Sequence, residues 1–312
     1  MTTTHPTRPD NRPSCLRPRA LLLAAVLAGA LSGGPSAEAV RGQPDVPARI
    51  VSTSPSITET LFALGLGDRV VGVSAQCRFP AGVTTLPQIG SVMTPDAELI
   101  AALRPDLVVI HDEPTGLGRR LDALGVSSVV VRPDTLEGVF AAIRRVAAAA
   151  GVTARGDALV AGLRARLDAV RQAAATGAAP RVLFIMSRQP DRLVDLVGVG
   201  AGSYAHEVLE IAGGRNVLAI DGQPAYPRIS METALRLDPD VIVDTVNMGE
   251  TELARRRRQR TSETLWATYP TLTAVRTGRI HVATPDAVFI PGPRVAEAAE
   301  WFAAILAGSG AR

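Results

Sequence analysis

One phrase occurs twice in this chain. Glu98 opens E-L-I-A-A-L-R-P-D-L-V-V-I, and Glu232 opens E-T-A-L-R-L-D-P-D-V-I-V. In each copy a Glu begins a short apolar-periodic helix, a Pro-Asp pair ends it, and a β-branched strand follows. A helix-to-strand unit repeated about 134 residues apart predicts two similar α/β lobes. A single Glu near a helix N-terminus only complements the helix dipole. Two of them at matched corners suit a two-fold symmetric partner, and two matched lobes suit a ligand held between them.

The chain has 312 residues, 46% apolar and 20% charged, enough for two domains with real cores. Lys is absent, so every fixed cation is an Arg. The formal charge is +3, but the first 39 residues hold Arg8, Arg12, Arg17 and Arg19 against Asp10 and Glu38, which leaves +1 for the body. A near-neutral body argues against a nucleic-acid footprint. The basic run at 255–258, continued by Arg260, reads as a solvated helix face or loop.

Residues 1–39 read as an export signal. Arg12, Arg17 and Arg19 precede an apolar stretch at 20–31 that is too short to span a bilayer comfortably, and Ala37-Glu38-Ala39 offers a cleavage site. Leu27-Ala28-Gly29-Ala30 resembles a lipoprotein signal with Ala30 where the acylated Cys belongs. The expected mature chain is therefore periplasmic, without a lipid anchor. It keeps one thiol, Cys77, and makes no internal disulfide.

Strand signals at 49–52, 70–74, 106–111 and 126–132 alternate with helical stretches, which predicts a parallel sheet covered on both faces. Ser56 with Glu59 reads as a capping box, and Thr94-Pro95 as the start of the first Glu helix. The stretch 153–175 is Ala/Arg/Leu-rich and helical in period, without the Gly/Ser of a flexible linker. The boundaries read as a first lobe at 49–150, a connecting helix at 151–178 and a second lobe at 179–309. The second lobe repeats the scheme, with strands at 181–187, 241–245 and 279–283 and a closing helix at 293–306.

Chemistry-bearing motifs are few. Val197-Gly-Val-Gly-Ala-Gly202 has the wrong spacing and place for a dinucleotide loop, and reads as a turn. His111, His206 and His281 are scattered, without metal-ligand spacing. His111 ends a strand at its carboxyl edge, where α/β sheets place ligands. The same reasoning nominates Gln76 and Arg78, Ser187 and Arg188, residues 286–289 including Phe289, and Tyr226, which can stack and hydrogen-bond. No nucleophile or acid–base set suggests turnover. An enzyme reading has only His111 with Asp112 or Glu113. A free-metal reading requires the three imidazoles to converge.

With these residues in hand, the chain resembles the periplasmic substrate-binding proteins of ABC importers for vitamin B12, haem and iron-siderophores. The resemblance runs from Arg49 to Leu306. It is carried by I-V-S-T-S-P-S-I-T-E-T-L-F-A-L-G at 50–65, D-R-V-V-G-V-S at 68–74, L-R-P-D-L-V-V at 103–109 and E-V-L-E-I-A-G-G-R-N at 207–216. It implies two α/β lobes with parallel-type sheets, one long backbone helix, a ligand cleft between the lobes and small domain movement. It implies that Glu98 and Glu232 enter Arg pockets of the two permease subunits, which work with ATPase subunits, and that the binder is a monomer without a cofactor or activity of its own.

The cargo it implies is a cobalt or iron chelate. Tyr226 matches a Trp position of B12 binders, His111 falls where another aromatic lies, and Gln76 replaces a Tyr. Haem binders of the family commonly ligate iron through a Tyr just before the first Glu helix, where this chain has Gly90-Ser91-Val92-Met93. Arg78, Arg188 and Arg228 suit an anionic ferric siderophore. A corrinoid or a ferric siderophore ranks first, with haem or a free metal ion as the alternative.

Overall fold

The computed structural model describes residues 46–112, 116–175, 177, 179–245, 252–283 and 286–308. The expected leader at 1–39, Glu113 and Thr176 lie outside them.

The first half alternates strand and helix. Strands β1 (Ile50–Ser52), β2 (Val70–Val73), β3 (Leu107–His111) and β4 (Ser128–Val131) lie in the order β2-β1-β3-β4, all parallel. The helices are α1 (Pro55–Ala63), α2 (Ala97–Ala102), α3 (Leu117–Ala123) and α4 (Leu136–Ala149). Successive strand residues point to opposite faces. Ile50, Leu107 and Val109 join Ile57 and Leu61 of α1 and Val146 of α4 in one core. Val51, Val108 and Ile110 join Ile100 of α2 and Leu117 and Leu121 of α3 in another. Burial on both faces is why these strands read as unbroken apolar runs.

Helix α5 (Thr153–Ala174) has 22 residues, about 33 Å of rod, and leads from the first sheet to the second. It crosses α4 at Gly156, where a Cβ would stand 2.4 Å from that of Ala147. Val160, Leu163, Leu167 and Val170 bind it into the core of the second lobe with Phe184 and Phe302.

The second half contains β5 (Arg181–Ser187), β6 (Leu196–Gly198), α6 (Tyr204–Ile211), β7 (Arg215–Asn216), β8 (Arg228–Ile229), α7 (Met231–Leu237) and β9 (Val241–Asp244). They are followed by α8 (Glu252–Trp266), α9 (Thr273–Arg276), β10 (Ile280–Val282) and α10 (Val295–Leu306). The sheet runs β10-β9-β5-β6-β8, with β7 also on β5. Its β10-β9-β5 part is parallel as expected, but β6 and β8 are antiparallel, so this sheet is mixed. The glycine run is the end of β6 and the turn after it. A Cβ on Gly198 would lie 2.1 Å from Leu218 Cδ1, and Gly202 has φ +80°. Of the basic run, Arg256, Arg257 and Arg260 are exposed on α8.

The repeated phrase folds into a repeated clasp. Asp106 Oδ2 accepts from the N–H groups of Ala48 and Arg49, both at 2.8 Å, and the Arg49 guanidinium donates to the carbonyls of Leu103 (2.7 Å) and Arg104 (3.1 Å). In the second lobe Asp240 Oδ2 accepts from Arg181 N–H at 2.8 Å, and the Arg181 guanidinium donates to Leu237 O (2.6 Å) and Asp238 O (3.0 Å). Arg104 (φ 47°) and Asp238 (φ 37°) end α2 and α7 in the left-handed region. The carbonyls orphaned by that ending are the ones each Arg satisfies.

Two caps differ from the sequence reading. Ser54, not Ser56, caps α1, because Pro55 takes the first helical position and Ser54 Oγ accepts from Ile57 N–H at 3.4 Å. Asp96, not Thr94, caps α2 and accepts from the N–H groups of Glu98 and Leu99 at 3.0 Å, while a bridge between Gly90 and Pro95 keeps the preceding residues out of the helix. Those amide bonds, that of Leu99 foremost, hold the Asp96 carboxyl below its usual range.

Replacing either clasp carboxylate, as Asp106→Ala or Asp240→Ala, is expected to cost about 1–2 kcal/mol in urea unfolding. The clasps lie in different lobes, so the double variant should equal the sum of the two within about 0.5 kcal/mol. A strongly non-additive double variant would show the clasps to be coupled.

Candidate functional site

The carboxyl ends of the first-lobe strands carry Ser54 and Ser56 after β1, Gln76 and Arg78 after β2, and His111 at the end of β3. His111 Nε2 lies 2.7 Å from Ser54 Oγ and 3.1 Å from Ser56 Oγ. Burial lowers the imidazole pKa, against the opposing pull of Asp134. A serine hydroxyl on an imidazole invites an enzyme reading. Ser54, however, is 2% exposed and holds the α1 cap, and Asp112 pairs with Arg132 at 2.5 Å rather than with His111. The other candidate, Glu113, lies outside the described residues.

The second lobe meets this edge through Arg294, which precedes α10. Its guanidinium donates to both carboxylate oxygens of Glu59 on α1, Nη2 to Oε1 at 2.5 Å and Nε to Oε2 at 2.9 Å. The side chains are 14% and 1% exposed. The ring of Phe79 covers the guanidinium at 4.3 Å. Burial nevertheless raises the Glu59 carboxyl pKa, with Arg294 opposing. Glu59, Gln76, Arg78, Phe79, Asp286, Ile290 and Arg294 enclose a cavity of about 90 Å³. Two expected ligand residues, Gln76 and Arg78, are thus brought together with an interlobe ion pair that sequence reasoning missed. The capping box expected of Ser56 and Glu59 does not form, because Ser54 caps α1 and Glu59 pairs with Arg294. Its partner is 235 residues away in sequence, and no local pattern announces it.

The remaining candidates fall elsewhere. Tyr226 lies on the loop before β8, 41% exposed. Burial, then Asp134, raises its phenol pKa, while a bond with Ser203 lowers it. Asp134 thus acts on both His111 and Tyr226. Phe289 packs half-buried on the second-lobe core, while its neighbours Asp286 and Ile290 reach the cavity. Arg228 is exposed on β8.

Arg188, expected to face the ligand, is turned inward. Its side chain is 1% exposed. Nε lies 2.9 Å from Asp244 Oδ2, Nη2 donates to Ser262 Oγ at 3.2 Å, and Nη1 donates to the carbonyls of Gln189 and Pro190. Asp244 also accepts from Ser262 Oγ and from Trp266 Nε1. The physical reason is register: Asp244 stands opposite Ile185 on the neighbouring strand, within reach of an Arg just past the strand end. The imidazoles of a free-metal site sit on β3, α6 and β10, and His206 Nδ1 contacts Asn216 at 3.2 Å. Among the described residues no three His, Cys, Asp or Glu side chains group as a metal site.

Glu98 and Glu232 are each the second residue of their helix, and both are exposed. Exposed Met93 (75%) and Leu99 (50%) lie near the first corner, and Leu235 (37%) near the second.

Two α/β lobes joined by one long helix, with charged and polar side chains lining a cavity where they meet, define a two-lobe binding architecture. The chain belongs to the periplasmic binding protein family, which it matches over residues 50–287. It is 29% identical to the uncharacterized ABC transporter substrate-binding lipoprotein YvrC of Bacillus subtilis, over 81% of this chain and 78% of that one. The crystal structure of the periplasmic vitamin B12 binding protein BtuF of Vibrio cholerae superposes with a TM-score of 0.70 at 25% identity, covering 85% of this chain and 98% of that one. The periplasmic heme-binding protein RhuT from Roseiflexus sp. RS-1 in apo form gives 0.71 at 27% identity, with 84% and 99% covered.

The depressed imidazole has a measurable consequence. His111 is held below its ordinary 6.5 by burial, and His281 likewise by burial and then by Arg279. The unfolded chain then binds protons more readily, so this contribution to stability is complete above about pH 6.5 and shrinks as pH falls through the folded values. Glu59, raised from 4.5, acts in the opposite sense at lower pH. Thermal melts should show Tm falling from about pH 7.5 to about pH 5.5, and His111→Asn should flatten that fall. An unchanged slope in the variant would assign the effect elsewhere.

Proposed function

We propose that this protein is the substrate-binding component of an ABC importer, capturing a metal chelate between its lobes and handing it to a membrane permease. Family membership over residues 50–287 is the observation that carries this reading. The cavity at the lobe junction and the matched, exposed Glu98 and Glu232 support it. In this reading Gln76, Arg78, His111 and Tyr226 face the cargo, and Phe289 backs the site from the second-lobe core. Arg188 holds Asp244 instead. Two acidic corners at equivalent helix starts fit the two subunits of a permease dimer, which draws its energy from ATPase subunits. The binder works as a monomer, without catalysis.

The cargo class is a corrinoid or a ferric siderophore. Relatives bearing the names of vitamin B12 binders and of a heme binder support a chelate rather than a bare ion. Haem is the second reading. It is favoured by one observation, the likeness to a periplasmic heme-binding protein at 27% identity and a TM-score of 0.71. The proposed location is outside the inner membrane, with the leader cleaved after Ala39. Among the described residues no helix is long and apolar enough to cross a membrane. YvrC is named a lipoprotein, whereas this chain has Ala30 where acylation requires Cys, so we read it as unanchored.

Calorimetric titration of the mature chain with cyanocobalamin, haemin, ferric siderophores and bare Fe³⁺ should show saturable one-to-one binding to one chelate and no turnover. Tight binding of the bare ion alone would overturn the chelate reading. In a reconstituted importer, the double variant Glu98→Ala/Glu232→Ala should abolish uptake while leaving chelate affinity unchanged. Lost affinity would instead place these residues in the cleft and refute the docking role.

A further inference from the structure

We propose that the cavity formed by Glu59, Gln76, Arg78, Asp286 and Arg294 is a subsite that recognises an uncharged amide-type arm of the cargo and rejects a carboxylate. The inference rests on the receptor reading above and adds to it the chemistry by which this chain selects among chelates.

The space is about 90 Å³. It lies where the lobes meet, beside the Arg294–Glu59 pair, so one arm of a cargo held between the lobes can enter it. Phe79 and Ile290 give it apolar edges. Its four charged side chains balance, Arg78 and Arg294 against Glu59 and Asp286. Arg294 and Glu59 neutralise one another through two hydrogen bonds, and both are largely shielded from solvent. Arg78 and Asp286 remain, one of each sign.

The donors are fixed before any ligand arrives. Arg78 Nη1 donates to the carbonyls of Ala75 (2.5 Å) and Cys77 (3.0 Å), which ties the guanidinium to its own loop. Gln76 Oε1 accepts from Val92 N–H at 3.0 Å, which orients the side-chain amide and leaves its nitrogen as a donor. The cavity therefore offers donors (Arg78, Gln76) and an acceptor (Asp286) around a neutral total.

A carboxylate arm would enter as a third acid, and an ammonium as a third cation, and either would leave a partly buried charge uncompensated. An amide meets both signs at once. Its N–H groups suit the Asp286 carboxylate, and its carbonyl suits Arg78 or the Gln76 nitrogen. Chelates whose periphery carries amides, corrinoids above all, fit this chemistry better than those rimmed with carboxylates.

The test is calorimetry of the full mature chain with cyanocobalamin and with its monocarboxylates, in which one side-chain amide has been hydrolysed. At least one monocarboxylate should bind roughly 10- to 100-fold more weakly than the parent. Asp286→Asn makes the cavity net positive, so it should narrow or reverse that ratio, an outcome that a merely structural Asp286 would not produce. Equal affinity for every monocarboxylate, or an unchanged ratio in the variant, overturns the subsite. Should no corrinoid bind, a neutral ferric trihydroxamate is compared with haemin, which carries propionates. Preference for the neutral chelate supports the subsite, and preference for haemin overturns it while leaving the receptor reading intact. Binding of no chelate at all overturns the receptor reading itself.

Discussion

Helices of six and seven residues do not hold themselves together in water, yet α2 and α7 carry the matched, exposed Glu98 and Glu232. What fixes them is an arginine at the start of a neighbouring strand. Arg49 and Arg181 reach back onto the carbonyls that each helix leaves unpaired, and the aspartate after the proline returns the contact to the arginine's own backbone. Helix end, turn and strand start become one unit. The unit occurs twice because the sequence that builds it occurs twice. The direction in which Glu98 and Glu232 project follows from that clasp.

Two buried ion pairs divide the remaining work. Arg188 with Asp244 lies wholly inside the second lobe, and its surplus donors and acceptors are taken up by Ser262, Trp266 and two carbonyls. Arg294 with Glu59 joins one lobe to the other. Buried pairs of this kind add little net stability over apolar replacements, but losing one partner is costly. Their effect is to specify an arrangement: the first fixes the loop after β5, and the second fixes where the second lobe meets α1.

Much of this was visible in the residues. The strands of the first sheet are unbroken apolar runs because both faces are covered, and α5 shows its length in an Ala/Leu/Arg period that nothing interrupts. Caps were legible only to within two residues, because Ser54, Ser56, Thr94 and Asp96 are all competent and the prolines beside them decide. β6 and β8, of three and two residues, are too short to show a period, so the antiparallel edge of the second sheet stayed hidden. Gln76 and Arg78, which line the cavity at the lobe junction, could be nominated from their places after a strand end. Arg188 met the same criterion and failed it, since strand register brings Asp244 beneath it. Glu59 and Arg294 are joined only by the tertiary fold.

The position of Trp266 bears on how this molecule reports itself optically. The chain has two tryptophans, and both belong to the second lobe. Trp266 is fully buried with its indole N–H on Asp244, and Trp301 packs edge-on against Phe302 at 5.1 Å. The ultraviolet emission of the protein is therefore the emission of one lobe. The first lobe, with β1 to β4, is dark in that channel. A quenching signal on ligand capture would report the ligand's approach to the second lobe, and one lobe could loosen without the spectrum recording it.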